Sequence, residues 1–425
     1  MLQTLRNAWR IEEIRKKILF TLLIVLLYRI GNAIPVPFVN TALLQQYFAY
    51  LQNTALGLLD AMSGGSFSNA TIFALSIQPY INASIIIQLL CIAIPALERM
   101  SKEEGEEGRK KIASITRYST VAIGLLQGFG YYMLMKNNGI IVAEAASSVW
   151  AAIIIILTFT SGSALIMWLG EQITEFGVGN GISIILFASI ISRFPNSVIT
   201  TIQNVANGSL AWWAAVLVFL GALALIVLIV FVNDAERRIP VQYAKRVVGR
   251  KMYGGQSTHL PMKVNMSGVM PIIFASSISS IPATIAAFTG HQDSAWAKTN
   301  TIPYAIIYLL LIIFFAYFYS TIQFNPIEVA NNLKKNGGYI PGFRPGKPTS
   351  EFIQKVLNKI TLFGAIYLGI IAITPILISH FSNAAALTGL SLGGTSIIIV
   401  VGVALETVRA IEAQMLMRNY KGFLS

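Results

Sequence analysis

Residues 211–232 read AWWAAVLVFLGALALIVLIVFV, a run without a single charge. A helix rises 1.5 Å per residue, so about 20 apolar residues cross the hydrocarbon core of a bilayer. A helix at the surface of a soluble domain keeps one polar face. This run has none, which places it in lipid. The same test carried outward gives ten candidate spans, near 18–35, 72–97, 118–136, 150–169, 182–203, 211–232, 267–289, 303–324, 360–380 and 394–413. Span 303–324 is equally free of charge. Span 182–203 is interrupted by Arg193, and 394–413 carries Glu406 and Arg409 in its final turns.

Composition agrees with lipid as the solvent. Of 425 residues, 55% are apolar and 12% charged, against about 25% charged in ordinary globular domains. These values exclude a disordered chain, a coiled coil and a cytosolic enzyme. The lone cysteine, Cys91, lies in an apolar run and excludes a disulfide framework or a multi-cysteine metal cluster. The first run follows five basic residues, holds Arg29 and lacks a small-residue cleavage site, so it reads as a span rather than a signal peptide.

Basic residues set orientation, because cytoplasmic segments retain Lys and Arg. With the N-terminus inside, the inner segments hold 27 of the 31 basic residues. The other four, Arg29, Lys136, Arg193 and Lys298, lie in or beyond the outer half. Both termini are therefore expected in the cytoplasm, and much of the net charge of +13 reports topology.

Ten spans divide into five and five, and an odd number per half inverts one half relative to the other. The expected fold is an all-α polytopic membrane protein, two inverted five-helix halves around a central pore. Residues 1–232 would hold spans one to five and span six of the second half, 233–266 a cytoplasmic loop, and 267–425 spans seven to ten with the loop 325–359 and the tail. Spans two and seven, which correspond between the halves, are the polar ones. Span two contains Ser76, Gln78, Pro79, Asn82, Ser84 and Gln88; span seven contains Pro271, Pro282, Ser276, Ser277, Ser279 and Ser280. A polar group facing lipid is costly, so these faces should meet each other or water. They line a conduit or, as the alternative, glue a helix bundle. Ile77, Ile81 and Ile85 form an i, i+4, i+8 stripe, which taken by itself reads as plain core packing. The segment 58–70, LLDAMSGGSFSNA, holds Asp60, Gly64 and Gly65 and is too short and glycine-rich to span. It must sit at the outer mouth or fold back into the bundle, where protein or a water-filled cavity surrounds it.

Enzyme chemistry is missing. The chain has no phosphate loop and no HExxH motif, and its aspartates, Asp60, Asp234 and Asp293, fall outside the ten spans. The glycines of 177–181 follow no strand, which disfavours dinucleotide binding. An ion-coupled transporter places an ionisable residue near the midplane, yet the middle of nearly every span is uncharged. No cofactor or metal is called for. A passive conduit driven from outside is the reading favoured here, with a gradient-coupled secondary transporter of a small solute as the alternative.

The inner loops are longer than span connections require. Residues 238–248 are strand-like and precede Gly249 and a second strand-like run, which suggests a protruding hairpin. Glycine and proline turns surround Arg344. Such turn chemistry exceeds what a topology signal needs and suits docking of an acidic protein or RNA phosphate.

Several blocks here resemble the bacterial SecY family, the channel subunits of the general protein translocase. They are RRIPVQYAKR (237–246), QSTHLPMKVNMSGVMPIIFASS (256–277), NPIEVANNLKKNGGYIPGFRPGKPT (325–349), GEQITEFGVGNGIS (170–183), SGGSFSNATIFALSIQPYINASIIIQLL (63–90), EEGEEGRKKIASITRY (103–118) and GGTSIIIVVGVALE (393–406). The resemblance implies a multi-pass protein of the bacterial cytoplasmic membrane through which unfolded precursors with signal peptides pass, and from which apolar segments move sideways into lipid. It implies a pore ring of Ile77, Ile81, Leu186, Ile273 and Ile399, with Leu186 where isoleucine is common. It implies a plug carrying Asp60, Gly64 and Gly65, and a lateral gate between spans two and seven carrying Asn82, Gln88, Ser276 and Ser277. Arg250, Lys251 and Arg344 would engage the motor ATPase SecA or the ribosome, and SecE-like and SecG-like subunits would flank the channel.

Overall fold

The computed structural model describes all residues except 1, 52–53, 103, 146, 209–210, 244–245, 249–250, 254–256, 289–300, 382–393 and 422–425. Helices dominate. The first half runs α1 (Leu2–Arg10), α2 (Glu12–Gly31), α3 (Thr41–Tyr50), α4 (Ala55–Met62), α5 (Gln78–Ala93), α6 (Pro95–Lys102), α7 (Gly105–Asn137), α8 (Val149–Phe176) and α9 (Gly181–Ala206). Then come α10 (Trp212–Asp234), α11 (Met270–Phe288), α12 (Ile302–Gln323), α13 (Pro326–Lys335), α14 (Lys347–Phe381) and α15 (Gly394–Lys421). Among the described residues five helical stretches are long and apolar enough to cross a membrane: Val149–Phe176, Gly181–Ala206, Trp212–Asp234, Ile302–Lys335 and Lys347–Leu377. The chain is thus a multi-pass membrane protein. The remaining candidate spans fall on α2, α5, α7, α11 and α15, which are shorter or more charged.

Neighbour relations repeat between the halves. Helix α7 packs on α5 and α8, and α12 packs on α11 and α14 in the same order. Helices α9 and α15 pack against each other.

The second candidate span departs from the expected 72–97. Residues 64–77 form successive turns, and the helix begins only at Gln78. Pro79 sits in its first turn, where a missing N–H does no harm. The preceding backbone cannot stay helical, because Ala70 and Ser76 adopt positive φ. Irregular backbone inside a membrane protein needs protein partners for its polar groups. Here the Val36 N–H donates to the Ala70 carbonyl at 2.8 Å and the Ile72 N–H to the Ile34 carbonyl at 3.0 Å. Gly162 of α8 lets this segment approach closely, since a Cβ there would lie 2.0 Å from the Ile72 carbonyl oxygen.

The glycines of 177–181 also serve packing. Asn180 caps α9, accepting from the Ile182 and Ser183 N–H groups. A Cβ on Gly181 would lie 1.9 Å from the Gly170 carbonyl oxygen, so glycine lets the α8–α9 hairpin close.

The two long loops join in one small sheet. Strand β1 (Glu236–Tyr243) pairs antiparallel with β4 (Ser257–Lys263), while β2 (Arg246–Val248) and β3 (Lys251–Tyr253) form a short hairpin between them. The sequence-predicted strand over 238–248 is therefore broken into β1 and β2. Strand β5 (Gly338–Tyr339), from the other loop, adds to the free edge of β1. The sheet has its own apolar core, in which Ile239, Val241 and Met262 pack with Ile340, Ile353 and Leu357.

Candidate functional site

The stripe on span two and the aliphatic residues proposed opposite it come together. Ile77, Ile81, Leu186, Ile273 and Ile399 are between 0% and 4% exposed and belong to one apolar cluster. They come from the start of α5, from α9, from α11 and from α15. Met62, the last residue of α4, joins the same cluster. A constriction of branched aliphatic side chains offers water no partners, and such constrictions gate by dewetting.

Helix α4 packs against α9 and α11, so the segment 58–70 does fold back into the bundle. Its turn is held by many polar contacts. The Asp60 carboxylate accepts from the Ser68 N–H at 2.7 Å and lies 3.1 Å from Arg193 Nη1. The Asp60 carbonyl accepts from the Gly65 N–H at 3.0 Å. Gly64 and Gly65 take φ values of +73° and +85°, a left-handed turn that side chains disfavour. Gly64 rests on α9, where a Cβ would be 2.7 Å from the Ser189 carbonyl oxygen. From α7, the Tyr131 hydroxyl donates to the Phe67 carbonyl, and the two rings stack with centroids 4.1 Å apart.

A direct bond joins the polar faces of α5 and α11. The Ser277 hydroxyl, fully buried, donates to Gln78 Oε1 at 3.3 Å. Gln78 thus adds to Asn82, Gln88, Ser276 and Ser277, the gate residues that the resemblance implies. Its place among the polar residues of span two is the sequence signal for this contact. Ser276 donates to the Ile273 carbonyl at 2.8 Å within its own helix. Gln88 Nε2 donates to Ser84 Oγ at 3.1 Å, also within one helix. Asn82 is half-buried and lines a cavity of about 240 Å³ with Gln78, Ser63, Gln127 and Ser280. Apolar side chains make up most of its wall, including Leu56 and Leu59 from α4, Leu126 from α7 and Ile281 and Ile285 from α11. Ser279 and Tyr304 share a hydrogen bond of 2.8 Å that ties α11 to α12.

At the loops, Arg344 is exposed and its carbonyl accepts from the buried Thr349 hydroxyl at 2.8 Å. Phe343 packs on Phe352 with ring centroids 4.2 Å apart. This turn is therefore built, with Gly342 and Gly346 at positive φ on either side of Arg344. Lys251 lies in β3, and Arg250 lies outside the described residues. The root of the sheet is fastened to the bundle, because Arg409 of α15 donates to the Asn233 carbonyl at 3.0 Å and pairs with Asp234. Nearby, burial and the Arg409 cation hold the Lys263 pKa below its ordinary value. Among the described residues no group of three His, Cys, Asp or Glu side chains is placed to hold a metal.

Comparison with known proteins follows the same lines. The SecY family model matches residues 71–408. The protein translocase subunit SecY of Streptomyces scabiei is 45% identical over 442 residues, covering 100% of both chains. That of Mycobacterium bovis is 43% identical over 446 residues with the same coverage. Among solved structures, a protein-conducting channel superposes with a TM-score of 0.67 at 17% identity, covering 95% of this chain and 93% of the other. Canine Sec61, from a ribosome–channel complex of the endoplasmic reticulum, gives a TM-score of 0.63 at 15% identity, covering 95% and 93%.

Proposed function

The chain belongs to the SecY family, and we propose from that premise how its parts work as a protein-conducting channel. As a protein translocase subunit, it conducts polypeptide. The seal at rest is the collar of Ile77, Ile81, Leu186, Ile273 and Ile399, closed from one side by Met62 of the plug. The observation that carries this reading is that Ile77, Ile81, Leu186, Ile273, Ile399 and Met62, far apart in sequence, are all buried within the bundle's apolar core. Such a collar selects no substrate sequence, because it offers neither charge nor hydrogen bond, and it yields around varied side chains.

The lateral gate is the seam between α5 and α11. The Gln78–Ser277 bond is neutral and 3.3 Å long, and a neutral bond of this kind contributes about 0.5–1.5 kcal/mol. Parting the seam exchanges it for contacts with water or substrate, so the closed gate separates readily. An apolar segment of about 20 residues in the conduit then finds lipid beside it. Asn82, Gln88 and Ser276 belong to the same polar seam, and the mixed cavity beside Asn82 supports that assignment.

The topology that fits is ten spans in two inverted halves, with both termini in the cytoplasm of a bacterium. The repeated neighbour order of α5–α7–α8 and α11–α12–α14 supports it, as does the distribution of basic residues. On that orientation the sheet and the Arg344 turn face the cytoplasm, where Arg250, Lys251 and Arg344 receive SecA or ribosomal RNA. SecE-like and SecG-like subunits bind the outer faces of the bundle. The energy comes from the docked partner. The gradient-coupled alternative is set aside with the family assignment.

The direct test is a photo-crosslinker at position 81 in the assembled translocase with a stalled secretory chain. Crosslinks to the precursor are expected, with none when the stalled chain is omitted. Absence of crosslinks from 81, alongside efficient crosslinks from the lipid-facing residue Leu220, would refute the collar.

A further inference from the structure

Arg193 is the residue that the apolar pattern of span five does not explain. A charged side chain within or beside hydrocarbon is costly and is expected to face a partner. Its partner is Asp60, 3.1 Å away, whose side chain is 7% exposed while that of Arg193 is 38% exposed. Asp60 also closes the plug turn on itself through the Ser68 N–H. One carboxylate therefore shapes the turn and ties it to α9.

Gly64 and Gly65 of the turn lie over the same strip of α9. Ser189, Ser192 and Arg193 stand at i, i+3 and i+4, which share a face. A Cβ on Gly64 would meet Ser189 and Ser192, and one on Gly65 would lie 4.0 Å from Arg193 Nε. The apolar contact through Met62 is non-directional and would hold a shifted plug nearly as well. An ion pair with fixed geometry does not tolerate that shift.

We propose that Arg193 is a positioning residue for the plug, and that the Arg193–Asp60 pair is a latch that defines the closed seat and parts when the plug leaves. The proposal rests on the reading of residues 58–70 as the plug. Charge assistance makes the pair stronger than the neutral bonds around it. Partial exposure of Arg193 screens it, so the latch is strong enough to select one seat and weak enough to open.

The test uses the whole translocase in proteoliposomes and reads resting ion leak. Arg193→Ala and Asp60→Asn are each expected to raise leak about three- to tenfold. The double variant should leak no more than the worse single, because one interaction is lost in every case. Arg193→Lys keeps the charge and should recover most of the seal. Should Asp60→Asn fail to accumulate in the membrane, Arg193→Lys against Arg193→Ala decides alone, since both alter only the more exposed end of the pair. Wild-type leak in Arg193→Ala, or additive leak in the double variant, would overturn the latch. Deletion of residues 60–69 in the same vesicles separates the two failures. Leak on deletion with tight point variants refutes the latch alone, whereas a tight deletion refutes the plug beneath it.

Discussion

Substituting alanine for Gly64 should unseat the plug, and Gly65→Ala is its matched control. Both glycines hold positive φ, so both alanines incur the left-handed penalty of about 1–2 kcal/mol. That strain is internal to the turn and persists whether the plug is seated or displaced, so it cancels from the balance between the two states. The surroundings differ. A Cβ at 64 would lie 2.7 Å from the Ser189 carbonyl oxygen and 2.9 Å from Ser192 Oγ, whereas at 65 the nearest atom is 3.8 Å away. The carbonyl belongs to the backbone of α9 and yields only if the helix moves, and Ser192 is held by its own 2.6 Å bond to that same oxygen. Overpacking of this kind costs about 1–3 kcal/mol, and it is relieved when the plug leaves. The closed-to-open ratio should therefore fall about fivefold to a hundredfold for Gly64→Ala and stay near wild type for Gly65→Ala. Ion efflux from proteoliposomes at matched channel density measures it. Equal leak from the two variants would refute the argument, because it would mean that the contact with α9 does not set the seat.

Further expectations concern the collar and the loops. Ile81→Asn places an unpartnered amide in the seal and should raise ion leak several-fold, while Ile81→Leu stays tight; conductance of the two variants decides. Arg344→Glu should reduce motor-driven export several-fold with unchanged thermal unfolding of the membrane domain. Wild-type export by that variant would leave the loop with a topological role only. The lowered Lys263 pKa means that the unfolded chain binds this proton more tightly than the folded one. Stability should then rise with pH between the lowered value and the ordinary lysine value of 10.5. Lys263→Met should remove that rise, as followed by thermal unfolding across the alkaline range.

Much of this was legible in the residues themselves. Uncharged runs such as 211–232 and 303–324 appear as α10 and α12 almost to the residue, because lipid demands a continuous apolar surface. Periodicity puts Ile77 and Ile81 on one stripe, which by itself reads as packing; their grouping with Leu186, Ile273 and Ile399 comes from the resemblance to the SecY family, because no local pattern encodes tertiary packing. The start of α5 at Gln78 is not legible in the sequence, because residues 72–77 are as apolar as a helix. What breaks them is the positive φ of Ser76 and the hydrogen bonds that residues 70–72 make to 34–36. Strand β5 is two residues long and has no period to detect. Arg193 stood out in the sequence as a flaw in a span, and only the folded chain shows the carboxylate that it meets.

The collar has no single owner. Its members ride on α5, α9, α11 and α15, so its bore depends on how those four rods stand relative to one another and on no bond within any of them. On the channel reading proposed above, such an iris would widen by small tilts shared among its blades with every helix intact, and the same parts would fit a thin extended strand or a bulky side chain.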